Sequence, residues 1–303
     1  MIEVRPCADE HEEERGLAAH NTVWPRDAIT MGEVQSFRAS TRAYTAFLAC
    51  RDGMDAGSAA SAVLPTRPDR GWTIVSVLPE HCRHGVGTAI YRRVSGWLRE
   101  RGIHKIRAPV REDDVDSIGF AERRGFREVE RQAMAVLDLR ELDPAPVAPP
   151  PGIEVTTWAE RPELTPAIFE VTREALPDIP SEEGRAPDTI EDWLPHFGRP
   201  SSPRDATFVA LSGAEVVGYA QLTLTAAQPE AAFHDMTAVK RAWRGRGIAG
   251  ALKRAQIGWA KEHGYERLET ENEVRNEPIR RLNRALGYRP APGHVILEGP
   301  LAS

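Results

Sequence analysis

A glycine-rich stretch from Arg244 to Ala249, RGRGIA, is the best candidate for chemistry in this chain. It follows a predicted strand that ends at Val239 and precedes a predicted helix whose apolar residues recur at helical spacing. Glycines let a ligand approach the backbone closely, and the unpaired N–H groups at a helix start favour an anion such as phosphate. The same residues could also form only a tight turn with solvated arginines. We interpret them as a phosphate-binding turn.

The segment that contains this turn occurs twice. Val77 to Arg127 returns as Val239 to Arg289 at one offset, since 247 − 85 and 287 − 125 both give 162, without insertion or deletion. A repeat of this length exceeds the roughly 20 to 50 residues of solenoid and propeller units. The 303 residues are therefore predicted to form two domains, each with its own core.

A proline-rich stretch, Asp143 to Gly152, separates the two copies and is predicted to be an extended linker. Directly after it, Ile153 to Val155 repeats the IEV of Ile2 to Val4 at an offset of 151. We predict an N-terminal domain over residues 1–142, a linker over 143–152 and a C-terminal domain over 153–303. Because the offset rises from 151 to 162, the front of the first copy is 11 residues longer (162 − 151).

The hydrophobic pattern predicts the same order of elements in both copies. A β-α-α-β-β front is followed by a strand, the glycine turn, a helix, a strand, a helix and a last strand. This order predicts an α/β fold of the α+β type, in which the sheet is mixed.

Composition excludes several classes of protein. A formal net charge of −6 disfavours a broad nucleic-acid footprint, and no apolar run approaches the roughly 18 residues that span a bilayer. The N-terminus lacks a secretory signal, so a cytoplasmic location is expected. Cys7, Cys50 and Cys82 have no metal-ligand spacing and are expected to be free thiols, with no metal site. A monomer or a homodimer is expected.

The two copies differ at polar positions. At the offset of 162, five residues of the second copy, Arg244, Thr270, Asn272, Asn276 and Asn283, correspond to Cys82, Ala108, Val110, Asp114 and Ala121 of the first. The first copy still has a possible phosphate turn, formed by Arg83, His84, Gly85, Val86 and Gly87. We therefore predict that the second copy is the working one and that the first is degenerate.

Taken together, these motifs resemble the GNAT family of acyl-CoA-dependent N-acetyltransferases. The resemblance rests on R-x-x-G-x-G/A after a strand, on the T-x-N and N-x-P segments from Thr270 to Pro278, and on the closing Leu286-Gly287-Tyr288. The tandem layout with one working half is also similar to that of the mycothiol synthases. The resemblance implies acetyl-CoA as co-substrate and direct attack by the amine of a small molecule in the C-terminal domain. A CoA-binding sensor or scaffold without turnover is the alternative.

The resemblance also implies which residues contact the cofactor. They are Met236, Thr237, Ala238, Val239, Arg244, Gly245, Arg246, Gly247, Ile248, Ala249, Asn276 and Asn283, with Arg83, His84, Gly85, Val86 and Gly87 as a residual set. Asn276 could instead cap the following helix. Many family members carry a Tyr four residues before the closing Gly, where it protonates the leaving thiolate. Those positions are Asn283 and Ala121 here.

Direct attack needs a base, because most amines are protonated at pH 7. The candidates are His234, Asp235, Glu269 and Glu271, and the sequence leaves all four open. Simple strand alternation places His234 on one face with Met236, and Asp235 on the other with Thr237. The acceptor pocket is expected in the variable front, including Ala175 to Asp192.

Overall fold

The computed structural model describes residues 1–65, 67–142, 148–180 and 188–302. These residues form two compact units, Met1–Arg131 with His294–Ser303, and Gln132–Gly293. Each unit has the mixed α/β fold predicted from the sequence. No helix among the described residues is long and apolar enough to cross a bilayer.

The first copy of the repeat contributes six strands and four helices. In chain order they are β1 (Ile2–Pro6), α1 (Glu10–Val23), α2 (Met31–Ala39), β2 (Ala43–Arg51), β3 (Met54–Leu64), β4 (Arg67–Val77), α3 (Val86–Arg99), β5 (Lys105–Arg111), α4 (Val115–Glu122) and β6 (Arg127–Asp138).

The second copy repeats this order. Its elements are β7 (Glu154–Thr157), α5 (Thr165–Ala175), α6 (Ile190–Phe197), β8 (Thr207–Ser212), β9 (Glu215–Leu224), β10 (Ala231–Val239), α7 (Ile248–Glu262), β11 (Arg267–Glu273), α8 (Glu277–Ala285) and β12 (Arg289–Pro300).

Each compact unit takes its sixth strand from the other copy. The strand order is β1-β2-β3-β4-β5-β12 in the first unit and β7-β8-β9-β10-β11-β6 in the second. Residues His294–Pro300 of β12 pair with β5, and Gln132–Asp138 of β6 pair with β11. The predicted domain boundaries therefore delimit the repeated segments and stay a prediction. Residues 143–147 of the predicted linker and 181–187 of the predicted acceptor segment lie outside the described residues.

A β-bulge distinguishes the second unit from the first. Between His234 and Val239, β10 uses six residues, but its partner β9 covers the same length with the five residues from Leu222 to Gly218. The register shifts between His234 and Met236, so Asp235 is the extra residue. In the first unit, Trp72–Val77 of β4 pairs without a shift with the six residues from Ala62 to Gly57. The bulge therefore follows from one residue fewer in β9.

The bulge reverses the side-chain alternation of β10. Ala232 packs with Ile257 of α7, whereas Met236 and Ala238 pack with Trp193 of α6. The prediction that His234 and Met236 share a face is therefore wrong. An extra residue in one strand moves every later side chain to the opposite face of the sheet.

The exchanged strands make a prediction about stability. Leu297 lies in the second copy but is 2% exposed in the core of the first unit, so Leu297→Ala should destabilise that unit by about 2 to 5 kcal/mol. Amide hydrogen exchange should rise mainly in β2 to β5. Leu268→Ala is the matched control, since Leu268 is fully buried in the second unit. Faster exchange confined to residues 154–293 in Leu297→Ala would contradict the exchange of strands.

Candidate functional site

The glycine turn between β10 and α7 has the backbone conformation of an anion site. Gly245 and Gly247 both have positive φ, +75° and +81°, which side chains other than glycine rarely adopt. Gly247 is the N-cap of α7, so no side chain caps the first N–H groups of the helix. The first copy has the same backbone, with φ of +63° at Arg83 and +89° at Gly85. Backbone geometry therefore does not distinguish the two copies.

The arginines of this turn contact the protein itself. The Arg244 Nε donates to the Val239 carbonyl at 3.0 Å, and its guanidinium lies 2.8 Å from the Asp178 carboxylate. Arg241 binds the same carboxylate through two bonds of 2.7 Å, and the two arginines lower the pKa of Asp178 to about 2. Arg246 stacks over the Trp243 ring at 4.7 Å. These contacts brace the turn, and a role of Arg244 and Arg246 in holding a ligand stays a prediction.

The strand before the turn leaves part of its edge open. Parallel pairing of β10 with β11 covers Ala231–His234 against Arg267–Thr270. All residues of this part of β10 are described, and from Met236 to Val239 the strand pairs with β9 and not with β11. Backbone groups on that edge can pair with an extended ligand chain, because an unpaired strand edge is a template for hydrogen bonding.

The asparagines predicted to touch the cofactor lie around α8. Asn276 is at the N-cap position of α8, yet its side chain makes no capping hydrogen bond, whereas Asp114 of the first copy caps α4 through the Ser117 N–H at 2.9 Å. Asn283 is 2% exposed and donates to Asn272 at 2.8 Å. Its Oδ1 is buried without a partner among the described residues. A buried acceptor without a hydrogen-bond partner is unusual in a folded protein and suits a ligand or a water molecule.

Of the four predicted base candidates, His234 lies apart from Glu269, Glu271 and Asp235. Glu269 pairs in register with Phe233 and lies beside Arg267 at 2.5 Å, and alternation places Glu271 on the same face. Asp235, at the bulge, accepts from Arg199 at 2.8 Å. His234 points to the opposite face, where its Nδ1 lies 2.9 Å from Gln256 of α7.

A buried polar cluster accompanies His234. It comprises His234, Lys253, Gln256 and Tyr288, none more than 3% exposed. The Tyr288 hydroxyl bonds to the His234 Nε2, and the Lys253 Nζ lies 5.4 Å from the centre of the Tyr288 ring. The Nε2 of Gln256 has no hydrogen-bond partner among the described residues. Lys253 and Gln256 were not predicted from the sequence, and neither was the hydrogen bond of Tyr288 to His234.

Burial sets the protonation of this cluster. It lowers the pKa of Lys253 to about 7 and raises the pKa of Tyr288 well above its ordinary value. Burial, helped by the charge of Lys253, lowers the pKa of His234 well below its ordinary value. His234 is therefore neutral at pH 7, and the ammonium of Lys253 loses its proton far more readily than that of an exposed lysine.

The first copy replaces this cluster with apolar and aromatic residues. The positions equivalent to His234, Lys253, Gln256 and Tyr288, at the offset of 162, are Trp72, Tyr91, Val94 and Phe126. Comparing the copies at inward-facing positions of the helix, as well as at the motif, would have found the cluster.

Comparison with known proteins identifies the family of this chain. The acetyltransferase (GNAT) family matches residues 9–126 and 166–288, so the chain belongs to the GNAT family. It is a tandem member, because the family match occurs twice. A search of curated proteins found no match.

Three solved structures share the fold over nearly the whole chain. A tandem GNAT protein from the clavulanic acid biosynthesis pathway, solved without AcCoA, is 20% identical over 100% of this chain and 99% of its own, with a TM-score of 0.80. A GCN5-related N-acetyltransferase from Sphaerobacter thermophilus is 21% identical over 100% and 96%, with a TM-score of 0.76. A GNAT acetyltransferase from Colwellia psychrerythraea is 12% identical over 99% and 100%, with a TM-score of 0.64.

Replacing Lys253 should stabilise the protein in a pH-dependent way. Since the folded pKa of Lys253 lies below the unfolded value, the unfolded chain binds the extra proton between about pH 7 and 10.5, and stability rises with pH over that range. Lys253→Met should therefore be more stable than wild type by a few kcal/mol at pH 6, given roughly 1.4 kcal/mol per pKa unit, and about equal at pH 10. Denaturant unfolding at several pH values measures this. Lys261→Met on the same helix is the control, and an identical pH trend in both variants would refute the buried charge.

Proposed function

We propose that the second unit binds acetyl-CoA and transfers its acetyl group to the amine of a small molecule. The observation that carries this proposal is the contrast between two copies with the same turn backbone. The second copy buries polar groups, including an acceptor without a partner on Asn283, whereas apolar and aromatic residues take the equivalent positions in the first. The first unit then serves as a structural or residual ligand-binding partner.

The chain offers a place for each part of acetyl-CoA. The uncapped N–H groups from Gly245 to Ala249 would hold the diphosphate. The open edge at Met236–Val239 would pair with the amides of the pantetheine arm, and Asn276 and Asn283 would contact its far end. Acetyl-CoA supplies an activated acyl group as a thioester. Backbone N–H groups near Met236 to Ala238 would polarise the thioester carbonyl.

We propose Asp235 as the base that accepts the proton of the attacking amine. It is the extra residue of the bulge, at the point where β10 leaves β11, and its side chain is 28% exposed. Bulges often redirect a side chain beside an active site. Arg199 holds the carboxylate in place, because its guanidinium donates to Asp235 at 2.8 Å and is itself anchored by donation to the Thr223 hydroxyl at 3.1 Å.

A CoA-binding sensor without turnover is the second candidate. It is favoured by one feature, the asparagine at position 283, whose amide cannot protonate a thiolate and is engaged with Asn272. Acyl transfer and sensing predict the same cofactor binding and differ only in the release of thiol.

The two turns permit a matched test of this assignment. Gly247→Glu and Gly85→Glu impose the same backbone strain, and an added Cβ meets a side-chain carbon at 3.5 Å in both, from Pro150 and Ile2. With acetyl-CoA and a panel of amines, wild type should release free thiol. Gly247→Glu should lose both CoA binding by calorimetry and activity, because it places a carboxylate at the anion site, while Gly85→Glu should keep activity within about twofold.

Two outcomes would contradict the proposal. Tight CoA binding without thiol release for any amine would favour the sensor. Loss of activity in Gly85→Glu alone would show that the first copy is the working one.

The base has its own test. Asp235→Asn should lower kcat/KM by about 10²- to 10⁴-fold at pH 7, because general base catalysis contributes that much. Glu271→Gln, on the neighbouring strand, is the control and should keep the kcat/KM of the wild type. If Glu271→Gln loses this activity and Asp235→Asn retains it, Asp235 is not the base.

A further inference from the structure

The buried lysine of the second unit needs an explanation that folding does not supply. Lys253 is 1% exposed, and within the part of the chain that the structure describes, no acidic side chain is among the causes of its lowered pKa. Burying an ammonium without an ionic partner is costly. The first copy forms the same fold with Tyr91 at this position. The fold therefore does not require the lysine.

The contacts of α7 place Lys253 beside the stretch of β10 that no longer pairs with β11. Gln256 contacts His234, the last residue of β10 that pairs with β11. Lys253 lies three residues nearer the N-terminal end of α7, a rise of about 4.5 Å. The N-terminal end of α7 adjoins the glycine turn. Beyond His234, in the direction of that turn, β10 is no longer paired with β11. Lys253 thus lies between the proposed diphosphate site and the end of the strand pairing.

The proposed reaction produces a thiolate that must receive a proton. The family resemblance assigns this task to a tyrosine at position 283, but Asn283 stands there and its amide holds no acidic proton. In the buried cluster, Lys253 is the group whose ordinary chemistry suits the task, since an ammonium donates and a neutral amine survives burial.

We propose that Lys253 protonates the departing thiolate of CoA, and that His234, Tyr288 and Gln256 are positioning residues that hold it. The proposal rests on the proposed acetyl transfer. When the C–S bond breaks, its electron pair stays on sulfur. A proton then passes from the Lys253 ammonium to that sulfur, so an N–H bond breaks and an S–H bond forms. Lys253 is left neutral and takes a proton from solvent after CoA leaves.

The energetics of this transfer are favourable. Burial lowers the pKa of Lys253 to about 7, below the roughly 8.5 of an ordinary thiol, so the proton moves to the stronger base. Among the described residues, the titratable groups that interact with Lys253 are His234 of β10 and Tyr288, which follows α8. On the same face, β11 contributes the uncharged Thr270, in register with His234, and Asn272, which bonds to Asn283 of α8.

The other members of the cluster fix the direction of the Tyr288 ring. The neutral His234 accepts the Tyr288 O–H at Nε2 when its Nδ1–H donates to the Gln256 Oε1. The ring face then stays toward the Lys253 ammonium, which it attracts through its quadrupole. Tyr288→Phe, the residue type of the first copy, keeps the ring and removes this anchor.

Kinetics of Lys253→Met test the proposal, using acetyl-CoA and the best amine of the panel, with Lys261→Met as the control. Lys253→Met should bind CoA within about threefold of wild type by calorimetry and lose about 10²-fold in kcat, as expected for loss of a general acid. In wild type, kcat should fall as pH rises above about 7, where the ammonium deprotonates, and this limb should be absent in Lys253→Met. Tyr288→Phe should shift the limb and lower kcat less.

The outcomes separate this inference from the proposed function. An active wild type with a Lys253→Met variant that keeps both kcat within threefold and the basic limb would overturn the lysine assignment alone. Acetylation of Lys253, detected by peptide mass spectrometry after incubation with acetyl-CoA, would also overturn it, because the lysine would then act as a nucleophile. A wild type that releases no thiol with any amine would overturn the proposed function and this inference with it.

Discussion

Five residues of β9 face six residues of β10, and the arrangement of the candidate site depends on that mismatch. The surplus residue, Asp235, bulges, and the strand beyond it turns its opposite face to α7. His234 therefore points toward α7 and the buried lysine, while Met236 packs in the core beside α6. β10 pairs with β11 only up to His234, which leaves a strand edge open directly before the glycine turn, and β4 of the first unit likewise pairs with β5 only at Gly71 and Trp72. In the first unit the equivalent stretch, Trp72–Val77 of β4, pairs with β3 without a register shift.

The two copies of the repeat show which side chains the fold requires, because the same fold forms twice with different residues at equivalent positions. Both units form the strand, left-handed turn and helix from the same backbone conformations, so these features belong to the fold. Side chains that differ at equivalent positions are not required by the fold. Phe126 packs in the apolar core of the first unit, whereas His234 and Lys253 bury polar groups that cost free energy to desolvate. Proteins that retain such costs commonly do so at functional sites.

Local sequence patterns predicted much of this architecture. The strands and helices of both copies follow the predicted order, since amphipathic periodicity and glycine turns are local signals. The exchange of last strands was not predicted. Residues 127–138 and 289–300 are equivalent at the offset of 162, so the order of elements alone does not tell whether β6 or β12 lies beside β5. Only long-range contacts decide which pairing forms.

The site was predicted less completely than the fold. The glycine turn and the asparagines around α8 follow from motifs, but the faces of β10 do not, because the bulge originates in the length of a different strand. Lys253 was missed since an inward-facing lysine on an amphipathic helix gives no motif. It becomes informative only when the structure shows its burial and its neighbours His234 and Tyr288.

The central claim is that the second copy holds the reacting cofactor at its glycine turn. Hydrogen exchange measured by mass spectrometry, with and without saturating CoA, tests it most directly, because bound phosphates and a paired strand edge protect backbone amides. We expect protection over residues 236–250 and little change over the equivalent residues 74–88. Protection of 74–88 with none at 236–250 would contradict the account.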